Sequence, residues 1–389
     1  MQAFKLIAVA AALPLFSLAA SWQQTLQSFE SQANDQFGKA LAVSGTVLAV
    51  GAPNLPSSFV PGYVYIYQRG PAWLFNARLQ APAPTGGDTF GASLAMEGNT
   101  LVVGAPANGI DGKVYVFNNA NGVWRFQQTL QQPAGTTGNT SFGSAVALSR
   151  STIAVGAPSQ APGSVHVFVK DNTGVWVPQA RLAPSDTANT ASGFGTAVAV
   201  ADDTIIAGAP GTLTANTSLT GAAYIFGRRN NVWTQQSVFL PMTTENAKLG
   251  TSVAMSGNTA VLGAPGVVQG AIGGHGYVLI KTSTGWVFQS VIFGVPTEGA
   301  AFGAAVAINS GVIATGSPLE PVAGTATTWT SPGVWVPAPA PFVSDGTLGQ
   351  NYGASIAISG GNSSVLVGAP QWGTSATPAA AGIVYAYQK

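Results

Sequence analysis

FGASLAMEGNTLVVGAP, residues 90–106, opens on Phe90-Gly91 and closes on Gly104-Ala105-Pro106, and the same frame returns along the whole chain. The opening pairs are Phe37-Gly38, Phe90-Gly91, Phe142-Gly143, Phe194-Gly195, Leu249-Gly250, Phe302-Gly303 and Tyr352-Gly353. Each is answered by Gly-Ala-Pro at 51, 104, 156, 208, 263 and 368, or by Gly-Ser-Pro at 316. Six of the seven spacings are identical and the last is two residues longer. A repeat of about fifty residues lies in the range of propeller blades.

Within each unit four short runs read as strands: Gly38 to Val43, Val47 to Gly51, Tyr63 to Tyr67 and Trp73 to Leu79 in the first. Each is bounded by Gly, Pro, Asn or Ser, as strands are. The third run recurs as Lys113 to Phe117, Ser164 to Phe168, Ala222 to Phe226, Tyr277 to Ile280 and Ile383 to Tyr387, and fades at Thr325 to Trp329. Fourth runs begin at Trp73, Trp124, Trp176, Trp233, Trp286 and Trp335, and the seventh unit has none of its own. One segment is left over at the other end, Trp22 to Leu26, and it resembles Trp124 to Leu130. The expected fold is therefore all-β: a seven-bladed propeller of four-stranded blades, starting near 37, 90, 142, 194, 249, 302 and 352. Residues 22–26 supply the outer strand of the last blade and close the ring. Closure removes the open edges that an incomplete array would expose. Small first strands such as Ser144 to Ala147 fit the narrow centre of such a disc, and the tryptophans fit its wide rim.

The first 19 residues carry one early cation, Lys5, then an apolar run from Leu6 to Leu18 ending in small residues. They read as a secretory signal peptide, leaving 20–389 as a single domain. Pro14 breaks a run already short of the roughly 20 residues of a membrane span, so no span is expected in the mature chain. Charged residues are only 7% of the chain and the net charge is +1, which argues against nucleic acid as a partner. With no cysteine, stability must come from the core. A monomer is the expected state.

The paired Phe-Gly and Gly-Ala-Pro motifs resemble those of FG-GAP repeat proteins, which include the propeller heads of integrin alpha subunits and some secreted fungal lectins. The resemblance covers residues 22–389 and departs at Leu249, Tyr352 and Ser317. It implies a binding module that takes a protein or glycan with loops at one end. Many members hold calcium in an Asp-rich hairpin between the first two strands. Here those hairpins are short, as at Ser44-Gly-Thr46 and Ala201-Asp-Asp203. They cannot supply six to eight oxygens, so neither structural calcium nor any other cofactor is expected.

Because strands alternate in direction, the Phe-Gly starts and Gly-Ala-Pro ends share one face, which also carries the long loops. That face is the expected binding surface, since function sits on loops held by a rigid scaffold. Phe59 and Trp372 are its aromatic candidates, with Asn108, Asp111, Asp186, Asn189, Asp345 and Asn351 as polar neighbours; each of these polar residues is also a natural turn former. Asn139, Asn216 and Asn362 are glycosylation sequons. His166 reads as a packed histidine and His275 as a loop residue without a partner. No nucleophile elbow, zinc helix or phosphate loop is present. The reading is a secreted, non-catalytic binding module for a glycan or extracellular protein. A wall-associated structural protein is the alternative, and a glycoside-directed enzyme would need two of Asp88, Asp111, Glu245, Glu298, Glu320 and Asp345 to converge. Calcium and chelator are both expected to leave the thermal melting curve where it is; a rise with calcium and a fall with chelator would overturn the reading of the hairpins.

Overall fold

The computed structural model describes residues 21–28, 34–54, 59–109, 111–133, 140–185, 192–213, 220–241, 246–266, 273–294, 300–319, 324–331, 334–338, 342–344, 350–360, 364–371 and 381–388. Seven antiparallel sheets are arranged as a β-propeller, and the described residues contain no helix. Blade 1 runs through Ala40–Ser44, Val47–Ala52, Tyr63–Arg69 and Trp73–Leu79. Its first strand starts two residues later than the sequence suggests, because Gly38 and Lys39 belong to the turn that precedes it.

The ring closes through the two chain ends. Ser21–Leu26 lies antiparallel on Ile383–Gln388, with Thr25 opposite Tyr385 and Leu26 opposite Val384, so blade 7 takes its outer strand from the amino end. Innermost strands of neighbouring blades touch all the way round, the last against the first.

What lets the blades meet is glycine. In every blade the N–H of the Phe-Gly glycine donates to the carbonyl of the Gly-Ala-Pro glycine at 2.9–3.0 Å. The Gly-Ala-Pro glycine then faces the next blade. A Cβ at Gly51, Gly104, Gly156, Gly208, Gly263, Gly316 or Gly368 would lie 1.9–2.2 Å from the carbonyl oxygen of the following Phe-Gly glycine, with Gly368 meeting Gly38. A second circle stands just before each third strand. A Cβ at Gly62, Gly112, Gly163, Gly221, Gly274, Gly324 or Gly382 would lie 2.1–2.3 Å from the backbone of the next blade's aromatic residue, or of Leu249 in blade 5.

Below these contacts the aromatic residue of each Phe-Gly pair meets a ring on the third strand. Phe37 packs on Tyr65 at 5.4 Å, Phe90 on Tyr115 at 5.5 Å, Phe194 on Tyr224 at 5.5 Å and Tyr352 on Tyr385 at 5.2 Å. Blade 5 has Leu249 instead, and Phe239 from blade 4 fills the gap at 5.5 Å from Tyr277.

Outer strands carry a bulge at the third residue after the tryptophan, where the register skips Asn76, Gln127, Gln179, Gln236 and Gln289. A bulge re-aims a side chain. Three of these residues reach the next blade: Gln127 Nε2 donates to the Gly174 carbonyl at 2.8 Å, and Gln179 and Gln289 accept the indole N–H groups of Trp233 and Trp335 at 2.8 and 3.1 Å. Beside them, Gln24 and Gln128 each bond both the N–H and the carbonyl of a tryptophan on the next blade, Trp73 and Trp176, at 2.8–2.9 Å.

Blade 6 is the irregular one. Its third strand, faint in sequence, forms fully over Thr325–Thr330, but the outer strand expected from Trp335 is only Val336–Pro337 and Phe342–Val343. Prolines at 337, 339 and 341 remove the ladder donors a continuous strand would need. Gly208→Ala, which would press a methyl against the Gly250 oxygen, is expected to cost about 3 kcal/mol or more. Gly45→Ala, in open space at φ 56°, should cost about 1 kcal/mol. Urea denaturation of the two variants measures the difference, and equal midpoints would show that the blades do not depend on this approach.

Candidate functional site

The long-loop face is built from the connections between second and third strands and from those between blades; the opposite face carries two-residue turns such as Gly45-Thr46 and Asp202-Asp203. Asp202 and Asp203 do not share a site: Asp202 pairs with Arg150 at 3.0 Å and Asp203 with Arg228 at 2.7 Å. Among the described residues no three His, Cys, Asp or Glu side chains cluster as a metal site would.

Phe59 is the most exposed large apolar side chain of the described residues, at 85%. Described residues on both sides of it are hydrogen-bonded. Asn54 Nδ2 donates to the Pro61 carbonyl at 2.9 Å, and the Val60 carbonyl accepts from Gly87 N–H at 3.2 Å. Asp88 then ties the loop to blade 2. Its Oδ1 accepts the N–H groups of Gly62 and Phe90, both at 3.0 Å, and Thr85 N–H approaches its Oδ2 at 3.4 Å. The carboxylate thereby occupies a place that loop carbonyls hold elsewhere, as when Asp111 O accepts from Phe142 N–H at 3.1 Å. Asp88 is a structural acceptor, and its oxygens are committed to backbone.

Asn108 is buried at 5% exposure with Nδ2 unpartnered among the described residues, and Oδ1 of half-buried Asp111 is unpartnered too. Gln132 joins them: its Nε2 reaches Thr140 Oγ1 and the Asp111 carbonyl, while its Oε1 has no described partner. Asn54 Oδ1 is a fourth such atom on this face. A buried polar atom left unbonded costs about 1–3 kcal/mol, which makes these the polar groups of this face least accounted for by described partners. Sequence reading found Asn108 and Asp111 but missed Asn54 and Gln132, whose residue types carry no separate signal in a loop.

Asn351 has a different part. The residue before the aromatic is left-handed in every blade, at Gln36, Thr89, Ser141, Gly193, Lys248, Ala301 and Asn351, and its carbonyl accepts the N–H three residues on. Asn351 is thus a turn residue with its backbone engaged. Asp186, Asn189, Asp345 and Trp372, the sequons Asn139, Asn216 and Asn362, the carboxylates Glu245, Glu298 and Glu320, and residues 1–19 all lie outside the described residues.

His166 stands where five other blades place tyrosine, packed against Phe142 at 5.4 Å and bonded to Ser164 Oγ at 3.1 Å. Burial, then the charge of Arg181, lowers its pKa to about 4. A hollow of about 210 Å³ lies beside it, bounded by His166, Pro133 and Arg181. His275 is not the loop residue its sequence suggested. It begins the third strand of blade 5, opposite Ala264 and Phe293, and burial lowers its pKa as well. The tertiary fold extends that strand two residues beyond the aromatic-aliphatic pattern.

Residues 73–117, 124–168 and 176–226 match the FG-GAP repeat family, each window running from one blade's outer strand to the third strand of the next. FG-GAP repeats thus lie within residues 73–226 of a seven-bladed propeller. The same frame continues through residue 388, with Leu249 and Tyr352 standing for the phenylalanine in two copies. No curated protein matches this chain. Among solved structures, that of Chaetomium thermophilum Sqt1 covers 92% of this chain and 96% of its own, with a TM-score of 0.54 at 14% identity, a likeness of fold alone.

The two histidines make stability depend on acid. An unfolded histidine takes its proton near pH 6.5 and the buried His166 only near 4, so between these values the unfolded state binds more protons. Stability is full above pH 6.5 and falls toward pH 4, by on the order of 3 kcal/mol for His166. His166→Tyr, which restores the residue of the other blades, is expected to add about 1 kcal/mol at pH 7 and to flatten melting temperature against pH from 7 to 4.5. An unaltered slope would place the acid sensitivity elsewhere.

Proposed function

We propose that this FG-GAP propeller is a secreted, non-catalytic binding module that takes a glycan or an extracellular protein on its long-loop face. The carrying observation is Phe59: an aromatic ring almost wholly in solvent, on a loop whose backbone is pinned by Asn54 and Asp88. A ring presented on a rigid base loses little entropy on contact and can stack on a sugar or fill a pocket in a partner. Among the described residues no helix is long and apolar enough to cross a membrane.

The signal-peptide-like start and the sequons at Asn139, Asn216 and Asn362 support secretion and glycosylation. A non-catalytic role is supported by the commitment of Asp88 to backbone donors, which withdraws one of the six candidate carboxylates. The test is a glycan array and a surface-protein panel probed with the full chain, then with Phe59→Ala and Trp372→Ala. Binding is expected to fall by about tenfold in at least one variant with an unchanged melting temperature. Full binding in both would move the site off this face.

A further inference from the structure

The junction of blades 4 and 5 differs from its neighbours on the opposite face, that of the tight hairpins. At the junctions on either side, the bulge glutamine of one blade accepts the indole N–H of the next blade's tryptophan: Gln179 from Trp233, and Gln289 from Trp335. Gln236 holds the same place in blade 4 but turns back on its own strand, donating to Thr234 Oγ1 at 2.7 Å. Gly227 on the adjoining strand makes this possible, for a Cβ there would lie 3.2 Å from Gln236 Cγ, where blades 3 and 5 carry Val169 and Ile280. Trp286 has a buried indole N–H without a described partner, as Trp124 and Trp176 have, and its side chain helps to line a cleft of about 340 Å³.

The walls of that cleft hold three of the chain's 14 Lys and Arg residues, Arg228, Arg229 and Lys281, against one acid, Asp203. Two of the cations are held in place. Arg228 bonds Asp203 at 2.7 Å and lies over the Trp233 ring at 5.0 Å, and Lys281 Nζ crosses the junction to Thr204 Oγ1 at 3.0 Å. Arg229 is exposed and has no described partner. Hydroxyls of Thr282 and Thr284 stand on the blade 5 side. In a chain with a net charge of +1, such a concentration of positive charge beside a half-buried indole is a local feature of this junction.

We infer that the cleft between blades 4 and 5 is a second binding site, for an acidic saccharide bearing a carboxylate or a sulfate ester. Arg229 and Lys281 take the anionic group and the Trp286 ring backs the sugar, while Gln236 and the threonine hydroxyls meet ring hydroxyls. The cavity lies at the lower end of the size of small-ligand sites, enough for a short saccharide. This site is separate from the long-loop face and does not depend on what binds there.

Calorimetric titration of the full chain with a hexuronate disaccharide, an O-sulfated disaccharide and a neutral disaccharide tests it, with inorganic sulfate as the bare anion. Saturable binding of one or both acidic sugars is expected, weakening with added salt, and the two arms tell carboxylate from sulfate ester. The double variant Arg229→Gln and Lys281→Gln should lose about tenfold or more in affinity, and Trp286→Leu, which removes the aromatic face, several-fold. Arg125→Gln, an exposed cation in blade 2, and Phe59→Ala should bind as the parent does. The inference is overturned if neither acidic sugar binds below about 1 mM at low salt. It is equally overturned if the neutral sugar or sulfate alone binds as well, or if Arg125→Gln loses as much as the double variant.

Discussion

Two backbones pressed together without a side chain between them set the geometry of the whole disc. At seven junctions the glycine that ends one blade's second strand lies against the carbonyl of the glycine that starts the next blade, and a methyl group at any of them would sit about 2 Å from that oxygen. Interiors pack at crystal-like density, so such a distance can be met only by the absence of an atom. Because every junction has the same approach, the angle between blades is nearly constant. Seven of them bring Gly368 back to Gly38, and the amino-terminal strand then completes the last sheet.

Given that frame, the blades tolerate exchange where a neighbour can compensate. Leu249 replaces the aromatic of blade 5, and Phe239 moves in from the blade before to face Tyr277. His166 replaces a tyrosine and keeps the edge contact with Phe142, with a hollow beside it. Blade 6 loses most of its outer strand to prolines, yet Phe342 still packs on Tyr387 at 4.7 Å and keeps the junction with blade 7 covered. None of these changes touches the glycine contacts.

The same separation governs where ligands can act. Side chains near the axis and within the sheets are committed to packing, so the groups left to meet a ligand lie in the loops above and on the rim below. On the loop face Phe59 stands in solvent. On the rim Gln236 folds back over Gly227 beside a cleft lined by Arg228, Arg229 and Lys281.

Much of this was legible in residue order alone. The spacing of the Phe-Gly and Gly-Ala-Pro pairs determined blade number, strand order and the sharing of the last blade, because a period-two strand pattern bounded by glycine and proline leaves little choice of register. The circle of glycines before each third strand was equally present in the sequence, at Gly62, Gly112 and the rest, but its purpose was invisible: the atom it avoids belongs to another blade. Tertiary structure alone decided that Asn351 is a turn residue, that Asp88 is spent on backbone N–H groups, that His275 lies in a strand and that Gln236 turns away from Trp286. The reason is the same in each case. A repeat's local pattern specifies its own strands, but whether a polar group bonds nearby, as Gln236 does with Thr234, or across to the next blade, as Gln179 does with Trp233, is settled by packing that no local pattern encodes.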